Sequence, residues 1–262
     1  MSRTATHHVT RGTAKGTPYA HAMATVILLR HGRTSANASG TLAGRTPGVG
    51  LDEVGRAQAE RAAERLAVVP LVELVTSPLE RCRQTAKAVA ARQAAGPRVH
   101  TDKALTECDY GEWQGRKLGE LARLALWKTV QTNPSAATFP GGESLSEMQA
   151  RAVSAVRRRD AAVSASAGAE AVWLAVSHGD LIKSVIADAL GMHLDLFQRI
   201  QVDPAAISVI RYTDARPYVL ATNTHEGDLS WLAPKPGRKR GRQKADPGAA
   251  VGGGAGHVGS ER

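Results

Sequence analysis

A histidine between two arginines stands directly after a short apolar run near the start of the chain. Arg30, His31 and Arg33 follow the run at 26–29, and Gly32 lets the backbone turn straight after the histidine. A guanidinium carries a planar fork of N–H donors that fits phosphate. An imidazole held beside two such forks can attack a phosphoryl group as well as bind it. Alone, the motif is more typical of a solvated turn than of a nucleophile, so its interpretation depends on the rest of the chain.

Two further apolar runs end in residues suited to phosphate. The run at 72–76 is followed by Ser77 and, one helical turn later, by Arg81. The run at 172–176 is followed by a second His-Gly pair that begins at His178. Ligands of open parallel sheets bind outside the carboxyl ends of the strands. If these strands are parallel neighbours, both imidazoles point into one crevice.

The elements that must position these side chains alternate between strand and helix. This alternation predicts a three-layer α/β/α fold, a mainly parallel sheet with helices on both faces. Asp52 is expected to cap one helix, Ser77-Pro78 to start the next, and Ser144 with Glu147 to form a capping box. Strands are predicted at 25–29, 72–76, 98–101, 171–176, 207–212 and 218–222, and helices at 52–66, 77–92, 117–130, 144–165 and 181–190.

The net charge of +10 lies mostly outside the predicted globular part. Residues 1–23 hold three Lys/Arg and no acid, and residues 232–262 hold seven Lys/Arg and two acids. The residues between them carry 24 basic and 22 acidic side chains. We therefore expect a disordered extension at 1–22, a single folded domain at 23–232, and a basic Gly/Pro-rich disordered tail at 233–262.

The basic tail favours a solubilising extension over an arm for nucleic acid, because no aromatic residue is interleaved with its charges. No apolar run is long enough to span a membrane, and the first 22 residues contain no apolar signal segment. The two cysteines do not suggest a disulfide framework. We expect a cytoplasmic protein without a membrane partner. Its oligomeric state stays open, with a homodimer as one option.

Six segments, taken together, resemble the histidine phosphatase superfamily, the phosphoglycerate mutase-like family. They occur in order from Thr25 to about Leu232, so the resemblance covers the whole predicted domain, and their combination is highly specific. The segments are LLRHGRTSAN (28–37), LDEVGRAQA (51–59), SPLERCRQTA (77–86), LTECDYGEWQG (105–115), FPGGES (139–144) and VSHG (176–179).

The resemblance implies a role for each residue of the constellation. His31 would be the nucleophile that becomes phosphohistidine, and Glu107 the proton donor and acceptor. Phosphoryl oxygens would be bound by Arg30, Arg81 and His178, with Arg33 and Asn37 completing the phosphate loop. Physical chemistry agrees, because phosphoryl transfer asks mainly for alignment and charge stabilisation, which two arginines and a second histidine, neutral or protonated, supply without a metal or cofactor. For Glu107 to act as an acid near neutral pH, its surroundings must raise its pKa.

Each of these residues also has a structural interpretation. Arg81 could be a solvated helix residue and His178 a core histidine. Asp109 and Glu112 compete with Glu107, although the register of the motif selects Glu107. Tyr110 and Trp113 are interpreted as packing residues, and Cys82 as a small buried helix residue. Asp180, next to His178, indicates a metal site only weakly, because no further ligand has the required spacing.

The function expected from these observations is metal-independent hydrolysis of a small phosphomonoester. A phosphomutase on the same site is the first alternative, although the insert at 108–138 is shorter than the basic, proline-rich insertion typical of glycolytic mutases. A non-catalytic protein that binds anions or nucleic acid through its tail is the second. A metal-dependent esterase using His178 and Asp180 is the third. Substrate specificity is expected to depend on side chains within 36–50, 108–138 and 223–232.

Overall fold

The computed structural model describes residues 22–97 and 99–233, with the side chains of residues 22 and 23 excepted. The predicted extensions at 1–22 and 233–262 lie outside the described residues, apart from one residue at each border. The strands are β1 (Ala22–Arg30), β2 (Leu71–Thr76), β3 (Val99–Thr101), β4 (Val172–Ser177), β5 (Ile207–Thr213) and β6 (Tyr218–Thr224). The α-helices are α1 (Ser35–Ala38), α2 (Glu53–Leu66), α3 (Glu80–Arg92), α4 (Leu118–Leu121), α5 (Ala125–Thr132), α6 (Leu145–Ala167) and α7 (Gly179–Ala189). Short 3₁₀ helices cover Lys103–Leu105, Gly111–Trp113, Pro134–Ala136, Leu194–Arg199 and Ser230–Leu232.

The six strands form one sheet in the order β3-β2-β4-β1-β5-β6. The pairs β3–β2, β2–β4 and β4–β1 are parallel, whereas β5 runs antiparallel to β1 and β6 antiparallel to β5. The predicted mainly parallel sheet is therefore confirmed. β4 lies between β2 and β1, so the connection that leaves β1 and the connection that leaves β4 lead to opposite sides of the sheet. A crevice opens at the carboxyl ends of the strands at such a point.

Helices cover both faces of the sheet, so the predicted three layers are also confirmed. Successive side chains of a strand point to opposite faces. Val26 and Leu28 of β1 belong to the core shared with α6 and α7, while Ile27 and Leu29 belong to the core shared with α2 and α3. The strand is thus apolar on both sides, as a strand buried between two helical layers must be.

The capping predictions for α2 and α6 are confirmed. The Asp52 side chain accepts a hydrogen bond from the amide of Gly55, and Ser144 forms a reciprocal capping box with Glu147. The prediction for Ser77-Pro78 is wrong, because α3 begins two residues later with Leu79 as its cap. The Ser77 hydroxyl instead lies 2.8 Å from a ring nitrogen of His178.

The single helix predicted at 117–130 is also wrong, because the segment forms two short helices, α4 and α5. The chain leaves the helical conformation at Leu124, where ψ is 145°. Leu124 and Trp127 then pack against the core beneath the sheet. Burial of these side chains outweighs continuation of a short helix, which has little stability of its own.

Candidate active site

The two His-Gly pairs meet at the carboxyl ends of neighbouring strands. Arg30 of β1 is paired in register with Ser177 of β4, so the residues that follow them emerge side by side. The rings of His31 and His178 contact edge to face with their centres 5.2 Å apart. A cavity of about 370 Å³ opens here. Its lining includes the predicted residues Arg30, His31, Asn37, Arg81 and Glu107.

His31 is held in one tautomer by two contacts. Its Nδ1 lies 2.7 Å from the carbonyl oxygen of Gly32, which can only accept, so Nδ1 carries the proton. Its Nε2 accepts a hydrogen bond from Nε of Arg81 at 3.2 Å. Burial, reinforced by the positive charges of Arg81 and Arg30, lowers the pKa of His31 well below its usual value. The ring is therefore neutral, with the lone pair of Nε2 directed toward Arg81 and the cavity.

The loop that carries His31 is locked to the start of α2 by two glycines. A Cβ on Gly32 would lie 2.3 Å from the carbonyl oxygen of Gly55, and a Cβ on Gly55 would lie 1.9 Å from the carbonyl oxygen of Arg33. Neither position can accept a side chain without a backbone shift. The amide of Gly32 also donates to the hydroxyl of Thr85 in α3 at 3.1 Å. The nucleophile loop is thus fixed from the layer of α2 and α3.

Arg81 is 2% exposed and reaches the site from the first turns of α3. Its Nη2 lies 2.7 Å from the carbonyl oxygen of Gly44 and 3.2 Å from Nδ1 of His178. Its Nη1 is buried and has no partner among the described residues. The interpretation of Arg81 as a solvated helix residue is therefore wrong.

Arg30 supplies a second incompletely paired guanidinium. Its Nη1 donates to the carbonyl oxygen of Val202 at 2.7 Å, while its buried Nε has no partner within the described part of the chain. Burial lowers the pKa of Arg30, and the carboxylates of Glu107 and Asp180 oppose that effect. Buried N–H groups without acceptors are costly. Two of them beside one cavity indicate a site built for an anion.

His178 lies behind Arg81 and does not line the cavity. It is fully buried, its Nδ1 accepts from Arg81, and its Nε2 donates to the hydroxyl of Ser77 at 2.8 Å. The Sγ of Cys82, a buried helix residue as predicted, lies 3.4 Å from the same Nε2. Burial and the charge of Arg81 lower the pKa of His178 well below its usual value, so this ring is neutral. The positive charge beside the cavity therefore comes from the arginines and not from this ring.

Glu107 lies at the cavity and is 8% exposed. Its Oε1 accepts from the amide of Cys108 at 3.0 Å. Burial, with a smaller contribution from the charge of Asp180, raises the pKa of Glu107 to about 7. This is the raised pKa that an acid working near neutral pH requires.

The backbone of Glu107 is clamped by two arginines. Its carbonyl oxygen accepts from Nε of Arg45 at 2.9 Å and from Nη2 of Arg151 at 3.1 Å. Both guanidiniums also contact the carboxylate of Glu143, which belongs to the FPGGES segment. This network holds the segment around Glu107 against the start of α6.

The two carboxylates that competed with Glu107 lie elsewhere. Asp109 pairs with Arg45 at 3.1 Å and accepts from the amide of Gly111, and the side chain of Glu112 is exposed. Neither lines the cavity. Of these three carboxylates, Glu107 alone lines the cavity.

The two remaining residues of the predicted phosphate loop differ in position. Asn37 lines the cavity, and its Oδ1 accepts from the amide and the hydroxyl of Thr34 at the start of α1. Arg33 does not line the cavity, and its Nε donates to Asp52 at 2.8 Å. The structure therefore does not bring Arg33 together with Arg30 and Arg81.

Several cavity residues were not predicted from the sequence to line the site. Tyr110 packs edge to face on Phe139 as expected, yet this residue also lines the cavity, and its hydroxyl donates to Asp180 at 2.8 Å. Lys183 lies one turn after Asp180 in α7, with Nζ 3.3 Å from its carboxylate. The i,i+3 spacing of Asp180 and Lys183, directly after the His-Gly motif, is the one sequence signal that could have indicated these two residues. Gln201 and Val202 also line the cavity. The segment 223–232, which was expected to contribute to specificity, supplies no lining residue.

The described residues contain no group of three or more His, Cys, Asp or Glu side chains placed to hold a metal ion. They also contain no helix with the length and apolar character needed to cross a membrane. Both cysteines are free and buried.

Comparison with known proteins assigns the family. The model of the histidine phosphatase superfamily, branch 1, matches residues 26–225. The chain belongs to this superfamily. The match spans every predicted site residue and confirms the resemblance seen in the sequence.

The relatives of this histidine phosphatase include both hydrolases and a mutase-like protein. The probable phosphoglycerate mutase GpmB of Yersinia enterocolitica is 30% identical over 195 residues, which cover 74% of this chain and 87% of the relative. A mycobacterial glucosyl-3-phosphoglycerate phosphatase is 26% identical with a TM-score of 0.67, covering 76% of this chain and 98% of that one. The alpha-ribazole phosphatase of Shigella flexneri is 25% identical with a TM-score of 0.66, covering 77% and 96%. The chain is thus an enzyme of a family that contains phosphatases and phosphoglycerate mutase-like members.

Proposed function

We propose that this enzyme hydrolyses a small phosphomonoester through a phosphohistidine formed on His31. The observation that carries the proposal is the neutral ring of His31, whose Nε2 lone pair lies beside two buried, incompletely paired guanidiniums. A neutral imidazole is a competent nucleophile and needs no separate base. The unpaired Nη1 of Arg81 and Nε of Arg30 are donors suited to phosphoryl oxygens.

The first step transfers the phosphoryl group to the enzyme. Nε2 of His31 attacks phosphorus while the bond from phosphorus to the alcohol oxygen breaks. The protonated carboxyl of Glu107 gives its proton to that oxygen, so the product leaves as an alcohol. The hydrogen bond from Nδ1 to the Gly32 carbonyl keeps the ring oriented as it becomes positively charged. Arg30 and Arg81 stabilise the charge on the phosphoryl oxygens.

The second step returns the enzyme to its starting state. The carboxylate of Glu107 takes a proton from a water molecule, whose oxygen attacks phosphorus as the bond to Nε2 breaks. Inorganic phosphate leaves, His31 is neutral again and Glu107 is protonated. The pKa of about 7 supports both roles, because each form of the carboxyl is well populated near neutral pH.

A phosphomutase is the second candidate, and the 30% identity to a probable phosphoglycerate mutase favours it. A mutase uses the same first step but returns the phosphoryl group to the alcohol instead of to water. The two candidates therefore differ only in the acceptor of the second step. The third candidate, an anion-binding protein acting through its basic tail, depends on residues outside the described part of the chain.

The test is an assay with p-nitrophenyl phosphate and a panel of sugar and glycerate phosphates, with and without EDTA. We expect release of inorganic phosphate that EDTA does not reduce, and loss of that release in His31→Ala. His100→Ala is a matched control, since His100 is an exposed histidine on β3. Inhibition by EDTA, or full activity in His31→Ala, would contradict the mechanism. An isomerised product without free phosphate would establish the mutase instead.

We also propose a cytoplasmic location, which the two free and buried cysteines support. Fractionation of cells that express the protein tests it.

A further inference from the structure

One wall of the cavity carries a pair of opposite charges that compensate each other. Lys183 and Asp180 both line the cavity, and Nζ of Lys183 lies 3.3 Å from Oδ1 of Asp180. The other carboxylate oxygen accepts from the hydroxyl of Tyr110 at 2.8 Å. Nζ also lies 3.2 Å from Oε1 of Gln198. This ammonium therefore already has a carboxylate and an amide oxygen as partners.

The cationic side chains that line the cavity are Arg30, Arg81 and Lys183. The two arginines hold the unpaired donors beside His31, and together they match the two negative charges of a phosphomonoester. Lys183 is neutralised by Asp180. After the phosphoryl group is bound, the lining residues that the structure describes offer no uncompensated cation for a second anionic group. They offer two carboxyl groups instead, those of Glu107 and Asp180.

The other lining side chains that the structure describes are uncharged. Asn37 and Gln201 contribute amides, Thr41 contributes a hydroxyl, and Leu42 and Leu118 contribute apolar surface. Gln201 is fixed by a hydrogen bond of 2.7 Å from its Nε2 to Asp203, which leaves its oxygen as an acceptor. Amides and hydroxyls bind hydroxyl groups, and apolar side chains pack on carbon frames.

We infer that the alcohol released by this enzyme is uncharged and hydroxyl-bearing, as in a sugar or nucleoside, and that the Lys183–Asp180 pair excludes leaving groups with a carboxylate or a second phosphate. The inference rests on the proposed hydrolysis at His31. A carboxylate on the leaving group would lose its hydration in the partly buried cavity without gaining a cation of its own, because Lys183 already pairs with the carboxylate of Asp180. The pair thus acts as a specificity determinant and takes no part in the chemical steps.

The test compares glycerol 3-phosphate with 3-phosphoglycerate, which differ by a hydroxymethyl group in place of a carboxylate. We expect kcat/KM to be at least about tenfold higher for glycerol 3-phosphate in the wild-type enzyme, a difference of about 1.4 kcal/mol. In Asp180→Asn, which keeps an oxygen for Tyr110 but releases Lys183, the ratio should fall by about tenfold or more. Any effect of this change on Glu107 acts on both substrates and cancels in the ratio.

Two further variants complete the design. Lys183→Met leaves Asp180 uncompensated and should raise the preference for glycerol 3-phosphate. Asp188→Asn removes a carboxylate from the same helix that pairs with Arg157 on the surface, and it should leave the ratio unchanged. Thermal unfolding checks that each variant is folded, and Lys183→Met tests the inference if Asp180→Asn does not fold.

The outcomes separate the inference from the proposed function. Hydrolysis of 3-phosphoglycerate as fast as glycerol 3-phosphate, or a ratio that neither variant moves, overturns the inference and leaves the phosphatase proposal intact. Isomerisation of 3-phosphoglycerate without free phosphate, or no hydrolysis of any phosphomonoester, overturns both.

Discussion

Replacing Glu107 by Gln keeps the size of the side chain and removes the proton that the leaving alcohol needs. An alkyl phosphate releases an alkoxide, which is a poor leaving group unless it is protonated. General acid catalysis contributes about 10²–10⁴-fold, so kcat/KM for glycerol 3-phosphate should fall by about that factor. In free energy this is about 2.7–5.4 kcal/mol of transition-state stabilisation.

The nature of the leaving group decides whether this loss is due to proton transfer. p-Nitrophenolate leaves without a proton near neutral pH. Glu107→Gln should therefore reduce phosphorylation of His31 by p-nitrophenyl phosphate much less than by glycerol 3-phosphate. A rapid-mix assay that follows p-nitrophenolate during the first turnover isolates this step from hydrolysis of the phosphoenzyme. Glu112→Gln, an exposed carboxyl of the same loop, is the matched control.

The pH dependence gives an independent measure. Burial raises the pKa of Glu107 to about 7, and the protonated form is the one that the first step uses. For glycerol 3-phosphate, kcat/KM should be halved near pH 7 and fall about tenfold for each further pH unit. In Glu107→Gln this descending limb should disappear. Equal losses on both substrates, or a limb that persists in the variant, would refute the assignment of Glu107 as the acid.

Two other predictions concern the guanidinium of Arg81 and the buried carboxyl of Asp160 in the core. Arg81→Lys should lower kcat/KM by about 10²–10³-fold, because lysine cannot reproduce the planar set of donors. Arg92→Lys, which changes an exposed ion pair of the same helix, should leave kcat/KM unchanged. Steady-state assays check this, and an Arg81→Lys variant as active as the wild type would contradict it. Burial raises the pKa of Asp160 to about 7, above its unfolded value, so its contribution to stability is full at acidic pH and is lost as the pH rises through about 7. Asp160→Asn, which keeps the oxygen that accepts from Trp173, should therefore gain stability relative to wild type between pH 5 and pH 8, by at most about 1.4 kcal/mol per pH unit. Urea unfolding at both pH values measures the difference, and parallel curves would contradict it.

The order of the elements and the meeting of the two histidines could be predicted from the sequence. Apolar runs, caps such as Asp52, and two His-Gly pairs are local signals, and parallel pairing brings the strand ends together. The start of α3 could not be predicted, because the Ser77 hydroxyl bonds His178, a residue 101 positions away. A local capping rule does not include such a partner.

The cavity wall was predicted less well than the nucleophile loop. Which residues of α7 face the cavity depends on how that helix packs against the sheet, so Lys183 could not be separated from its neighbours by periodicity alone. The position of His178 behind Arg81, and the pairing of Arg33 with Asp52, likewise depend on contacts between distant segments. The residue types indicated the chemistry. Which of several similar residues lines the cavity could be seen only from the folded structure.

The interlocked glycines at positions 32 and 55 have a consequence for how this fold can diversify. They tie the nucleophile loop to α2, and Arg81 comes from α3, so the nucleophile and this phosphoryl-binding arginine are supported by one helical layer. The part of the cavity wall that comes from α7 and from Tyr110 packs in the opposite layer. Substitutions that reshape this wall leave the nucleophile loop where it is. Mutations in one layer can thus change the substrate while the other layer preserves the position of the nucleophile.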